Sequence, residues 1–249
     1  MKFHRSIYPH THSLSGFTIV ELSVVLIVIG LVVGGVIAGH TMLQNAQMRS
    51  IMREAEEINI ALLAFKLKYG QLPGDFSQAT SIWGDVFGWP VGETSNGNGN
   101  GLIPLCSGEQ GRVFEQLSLA GMVKGRYRRN GASPADQMGV VYPFASNGTH
   151  AYRVMSENYS GSFSHFANRN MLNMGQHNAG CLDGGNAPFT PREAWALDVK
   201  YDDGEAEKGR IWNWGASCVN WMAGGTFPYL VTNDSTKTCG FFYLLTTSN

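Results

Sequence analysis

Gly16 to Gly39 reads GFTIVELSVVLIVIGLVVGGVIAG and holds a single ionisable side chain, Glu21. As an α-helix, the roughly 23 residues from Phe17 onward would rise about 35 Å, enough to cross a hydrocarbon layer of about 30 Å. The stretch therefore predicts a membrane span over 17–39. A carboxylate in such a helix carries a desolvation penalty. Glu21 is thus expected either to meet a partner or to sit near enough to the helix N-terminus for the interface and the helix dipole to tolerate it.

The preceding residues, MKFHRSIYPHTHSLSG, are polar, carry Lys2 and Arg5 without an acid, and end directly at the apolar run. A secretory signal has the reverse order, with an apolar core that is discarded at a cleavage site behind it. Cleavage at the Gly16-Phe17 boundary would leave the apolar segment on the mature chain. The polar leader, the Gly16-Phe17 junction and a glutamate at the fifth position after the glycine closely resemble the class III signal of type IV prepilins and type II secretion pseudopilins. That resemblance implies cleavage after Gly16 by a prepilin peptidase and methylation of the new Phe17 amine. It also implies that Glu21 pairs with the Phe17 amine of a neighbouring subunit as a filament forms.

Beyond His40 the helical pattern continues. Ile51, Ala55, Ile58, Leu62, Phe65 and Tyr69 recur at spacings of four and three, which places them on one face, with Arg49, Arg53, Glu54, Glu57 and Lys68 opposite. Gly70 and Pro73 mark the end. A helix from Phe17 to Tyr69 would be about 80 Å long. Gly30, Gly34, Gly35 and Gly39 would either bend it or let it pack closely in the membrane. The expected organisation is a leader over 1–16, a span over 17–39, an amphipathic half over 40–69 and a globular domain over 70–249.

The 249 residues are 15 % charged, include 31 glycines and sum to a formal charge of −1. Loss of Lys2 and Arg5 with the leader takes that charge to −3. No basic patch signals nucleic acid, and the glycine- and asparagine-rich composition is that of a loop-rich exported domain. Cys106, Cys181, Cys218 and Cys239 contain no CxxC pair, and in an exported domain their even number favours two disulfides over zinc.

The globular part predicts an α+β fold, with the long helix packed on an antiparallel sheet. Glu109 to Val123 reads as a second helix, Thr190 to Glu193 as a capping box opening another, and GVVYPF, AYRVM, Gly209–Trp214 and GFFYLLTT as strands. Asn96, Asn98 and Asn100 alternate in NGNGNG as in an EF-hand loop. The twelfth position is Ser107 rather than Glu and the first lacks an acid, so a neutral turn is expected there rather than calcium. Asp198, Asp202 and Asp203 are the better calcium candidates, set against the usual use of Asp-rich turns as turn chemistry.

YGQLPGD, EQLSLAGMVKG and TPREAWALDVKYDDGEAEKGRIW resemble a subset of pseudopilin-like proteins and extend the likeness past the leader. The segment Cys218–Cys239 resembles the C-terminal disulfide loop of many type IV pilins, which implies that these two cysteines pair and leaves Cys106 with Cys181. Arg126, Arg128 and Arg129 read as solvated surface. Trp195, Trp212, Trp214 and Trp221 are expected in core packing, with a binding platform as the alternative.

No GxSxG, HExxH or GxxxxGK[ST] occurs, and the seven histidines lack ligand spacing. The reading is a non-enzymatic filament subunit, with no cofactor beyond the calcium candidates. As the resemblance implies, its partners are other pilin or pseudopilin subunits, the prepilin peptidase, an inner-membrane assembly platform with its ATPase, and membrane lipid. The expected location is a single-pass inner-membrane protein with a periplasmic C-terminal domain, reaching a filament or the cell surface after assembly. A minor pilin or adhesin is the alternative within the class, and a membrane-anchored periplasmic enzyme the alternative outside it.

Overall fold

Helix α1 (Ile19–Tyr69) is continuous over 51 residues. It belongs to a computed structural model that describes residues 16–84, 96–105, 107–128, 138–156, 168–176, 187–215, 217–220, 227–232 and 236–246. The chain divides into two units, Met1–Ala46 and Gln47–Asn249. In the first, the most apolar window of α1 has none of its residues buried, and this helix is long and apolar enough to cross a membrane. The helix runs unbroken through Gly30, Gly34, Gly35 and Gly39, where an added Cβ would meet nothing.

The second unit is α+β. Besides the end of α1 it contains α2 (Ala79–Trp83), α3 (Gly108–Leu119), β1 (Ala151–Ser156), β2 (Asn170–Gly175), α4 (Pro191–Tyr201), β3 (Ile211–Trp214) and β4 (Gly240–Leu244). The strands form one antiparallel sheet in the order β1-β2-β4-β3. Because side chains alternate across a strand, Tyr152, Val154, Leu172, Met174, Phe241 and Tyr243 share one face, and all lie in the main core with Ile51, Ala55, Ile58, Leu62 and Phe65 of α1. Met155, Met171, Trp212 and Phe242 make a second cluster on the other face. Fully burying one such side chain is worth about 1.5–3 kcal/mol, so the α1 seam is a principal source of the fold's stability.

Both faces being covered explains β2, whose sequence NMLNMG is buried throughout and shows no apolar alternation. Its asparagines are satisfied: Asn173 Oδ1 accepts from Arg153 Nε at 3.0 Å, and Asn170 Oδ1 accepts from the Ile103 N–H at 3.0 Å. GVVYPF forms no strand. It contributes the isolated bridges Met138↔Tyr142 and Phe144↔Ala151.

Polar residues of α1 also reach the sheet. Glu54 Oε2 accepts from Tyr152 Oη at 3.0 Å and from the Ser146 N–H at 3.0 Å, Tyr243 Oη donates to Glu56, and Asn59 Oδ1 accepts from the Thr246 N–H at 3.1 Å. Glu54, expected on the solvent face, therefore docks the helix. The expected capping box of α4 is present: Thr190 Oγ1 accepts from the Glu193 N–H, and Glu193 Oε2 accepts from the Thr190 N–H at 2.9 Å.

Cys218 and Cys239 are disulfide-bonded, with Cα atoms 4.9 Å apart. Cys106 and Cys181 lie outside the described residues. At Gly215 an added Cβ would run into the Thr238 carbonyl, so glycine is what lets the chain close around this bond. Replacing both Cys218 and Cys239 by serine releases a loop of about 20 residues and should cost about 3 kcal/mol, read as a lowered melting temperature of the full chain in detergent.

Candidate functional site

The residues singled out at the start of the span are joined by a local device. Thr18 immediately precedes α1 and Glu21 is its third residue. Glu21 Oε2 accepts from the Thr18 N–H at 2.8 Å and from Thr18 Oγ1 at 2.9 Å, while the Glu21 N–H donates to Thr18 Oγ1 at 3.2 Å. This is a reciprocal capping box, and it satisfies two of the donors that every helix N-terminus leaves open. The signal in the sequence is the T-x-x-E spacing of Thr18 and Glu21, the same as that of Thr190 and Glu193, here embedded in an apolar run. An added Cβ at Gly16 would meet nothing. The fold therefore makes no demand for glycine at that position.

In the second unit, the PGD turn and the asparagine-glycine loop form one structure. Asp75 is 1 % exposed. Its Oδ1 accepts from the N–H groups of Gly99 at 2.7 Å and Asn100 at 3.1 Å, and its Oδ2 from that of Gly101 at 2.7 Å. The loop is a cup of backbone donors around a carboxylate. An added Cβ at Gly97 would collide with the Asp75 backbone, and one at Gly74 would lie 2.5 Å from the Glu109 carbonyl, so both glycines answer to close approach.

The side-chain oxygens of the loop's asparagines, where a neutral turn rather than calcium is expected, are engaged within the chain. Asn96 Oδ1 accepts from the Thr80 N–H, Asn98 Oδ1 from that of Asn100, and Asn100 Oδ1 from that of Leu102. Glu109 Oε1 accepts from the Asn98 N–H at 2.8 Å. Burial raises the Glu109 carboxyl above the usual range; the Asn98 hydrogen bond opposes this, Asp75 adds to it, and Arg112 opposes it.

Asp198, Asp202 and Asp203 are brought together, with one carboxylate oxygen from each within 4.8 Å of the others. Each carboxylate serves the protein itself. Asp198 is fully buried and accepts from Tyr229 Oη at 2.5 Å and from the Gly204 N–H at 3.1 Å. Asp202 accepts from the N–H groups of Arg210 and Ile211, and Asp203 from that of Glu205. The residue set suits a calcium ion chemically, yet this geometry is that of a turn tied to the start of β3.

Burial lifts the Asp198 pKa to about 7, opposed by the Tyr229 and Gly204 hydrogen bonds and reinforced by Asp202 and Asp203. Burial comes first in holding the Tyr229 hydroxyl protonated as well, with the adjacent Asp198 charge next.

Trp212 is buried and donates from Nε1 to the Gly209 carbonyl, as core packing requires. Trp195 and Trp214 are instead about half exposed, and Trp221 lies outside the described residues. His150 is buried with Nδ1 against Asn147 and Thr149, and His40 is exposed on α1. No family model matches the chain, and neither a characterised protein nor a solved structure matches it.

Two outcomes follow from these geometries. Asp75→Ala removes the carboxylate from three N–H groups and leaves that of Gly101 without an acceptor, since Gly99 also donates to the Asp75 carbonyl and Asn100 to Asn98 Oδ1, and Asp75→Asn turns one acceptor into a donor facing an N–H. Both should lower stability by roughly 3 kcal/mol, measured as thermal unfolding of the full chain in detergent. For Asp198, the folded pKa of about 7 lies above the unfolded value near 3.9, so the folded state binds more protons between them. Stability should fall as pH rises from about 4 to 7 and level off above that. Asp198→Asn should flatten this slope in melting curves taken at pH 5 and pH 8.

Proposed function

We propose that the protein is a structural subunit of a type IV pilus or type II secretion pseudopilus, processed after Gly16 and assembled through α1. The observation that carries this reading is the helix itself. The most apolar window of its first half has no buried residue, while its second half is the spine of an α+β body. An apolar helix left unburied among the described residues belongs in lipid or against other helices, and one helix supplying both a span and a domain core is what an assembling subunit requires. In this reading the inner membrane holds the unassembled chain, with the body in the periplasm where the Cys218–Cys239 bond is stable. The prepilin peptidase, neighbouring subunits and the platform with its ATPase are the partners.

The capping box sharpens the role of Glu21. Before assembly its carboxylate is held by Thr18 rather than stranded in the apolar stretch. Assembly then brings the Phe17 ammonium of a neighbour to a carboxylate already oriented at the helix end. Four residues of rise is about 6 Å, so an axial stagger between neighbours brings the two groups level.

Mass spectrometry of the membrane form should find a chain beginning at methylated Phe17. Replacing Gly16 by a larger residue should block that processing without altering the fold, and recovery of an intact leader in cells containing the peptidase would refute the reading. Glu21→Gln keeps a side chain able to close the capping box and removes the charge, whereas Glu21→Ala removes both. Charge pairing predicts that neither variant enters sheared or cross-linked filaments although both insert. Incorporation of the glutamine variant alone would assign Glu21 to capping.

A further inference from the structure

Asparagine-glycine bonds follow one another in the loop that cups Asp75: Asn96-Gly97, Asn98-Gly99 and Asn100-Gly101. This dipeptide is self-reactive. The glycine nitrogen, with no side chain on its own residue to shield it, attacks the preceding asparagine Cγ. An N–Cγ bond forms, the Cγ–Nδ2 bond breaks, and the leaving amide nitrogen takes the proton of the attacking N–H and departs as ammonia. Water then opens the cyclic imide at either carbonyl, giving aspartate or, with the main chain rerouted through the side chain, isoaspartate.

Each attacking nitrogen is held, but not equally. The Gly97 N–H donates to the Phe76 carbonyl at 2.8 Å, and the Gly99 N–H is shared between the Asp75 carbonyl at 2.9 Å and Asp75 Oδ1 at 2.7 Å. The Gly101 N–H depends on the carboxylate alone, through Asp75 Oδ2 at 2.7 Å. Attack requires loss of the N–H proton. A carboxylate facing that N–H opposes the loss, because the nitrogen anion would stand against a like charge. Attack also requires the nitrogen to turn from its acceptor onto the asparagine side chain, which is a local opening of the loop. Nothing else closes this bond off: Asn100 and Gly101 are exposed, and an added Cβ at Gly101 would meet nothing.

We propose that Asn100 is a latent deamidation site that the Asp75 carboxylate keeps closed. Reaction there is one-way for the fold as well as for the bond. Either product adds a negative charge beside a ring of donors that already holds one carboxylate and has Glu109 at its Asn98 N–H, and isoaspartate also lengthens the main chain within the ring. A modified loop therefore does not close again on Asp75. The site lies wholly in the second unit and stands whether or not the chain is a filament subunit.

The test follows deamidation at each asparagine by tandem mass spectrometry, using the full chain held in detergent at mildly alkaline pH and below its melting transition. Asn147-Gly148 is the internal control, since its glycine N–H is held by the Ala145 carbonyl at 2.9 Å and not by Asp75. In the wild type Asn100 should stay intact, while the same chain unfolded in urea deamidates there. Asp75→Ala should speed modification of Asn100 by about tenfold or more, as expected from removing a hydrogen bond to a charged acceptor, with Asn147 still intact. Asp75→Asn, which keeps the size of the side chain but turns an amide donor toward Gly101, should give the same pattern if the alanine variant melts too low. Wild-type deamidation at Asn100 as fast as in urea overturns the proposal, as does a rate in both variants equal to that of the wild type. Modification of Asn147 to the same extent as Asn100 in both variants also overturns it, because protection would then belong to the fold as a whole.

Discussion

The seam of Ile51, Ala55, Ile58, Leu62 and Phe65 along α1 is the contact on which the globular unit depends. One face of a four-stranded sheet is apolar over β1, β2 and β4, and without a covering helix it would expose Tyr152, Leu172, Met174 and Phe241 to water. The seam supplies that cover, and the polar positions beside it fix its registry. Glu54, Glu56 and Asn59 each meet a different part of the sheet or the chain after it. A slip of the helix by one turn would strand all three. Apolar burial gives the attraction here, and the hydrogen bonds give the unique position.

The same helix was the most legible part of the molecule, for a physical reason. A seam with a period of 3.6 and an apolar run of membrane length are properties of local sequence, and neither needs knowledge of the rest of the chain. The strands at 151–155, 211–214 and 240–244 were legible on similar grounds, being short β-favouring runs between turn residues. Strand β2 was not. NMLNMG contains no β-branched or aromatic residue and two asparagines, and it becomes a central strand because β1 and β4 pair with it and its polar groups find partners across the sheet. GVVYPF erred in the opposite direction: its composition favours a strand, while Pro143 and the turn from Gly139 confine it to bridges.

Site chemistry was harder to read than fold because it depends on which partner each polar atom finds. Alternating asparagines look like a row of oxygen ligands, but those of Asn98 and Asn100 fold back onto the loop, that of Asn96 meets the Thr80 N–H, and the loop's backbone N–H groups face Asp75. The sign of the site is reversed. The clue lay in the PGD turn, where an acid in a largely buried stretch demands donors, and a glycine-rich segment is the cheapest supplier of several N–H groups on one point. The Asp198 cluster was located correctly as a juxtaposition of acids, but Tyr229 Oη and the backbone N–H groups already answer those carboxylates.

Glu21 shows why the identity of a residue in an apolar stretch is a poor guide to its cost. An isolated carboxylate in hydrocarbon is expensive, and that expense alone would argue for a partner on another subunit. The Thr18 hydrogen bonds remove part of the argument, since the helix terminus needs acceptors and the carboxylate needs donors, and each supplies the other. What capping does not remove is net charge. A capped glutamate still carries its full negative charge at the edge of an apolar helix, and backbone N–H groups offer only partial positive charge in return. The residual demand is for a mobile cation that arrives with assembly. In the proposed reading, the amine that cleavage after Gly16 would release meets that demand: it would exist only after processing, and Phe17 stands one residue before Thr18, at the same end of the helix.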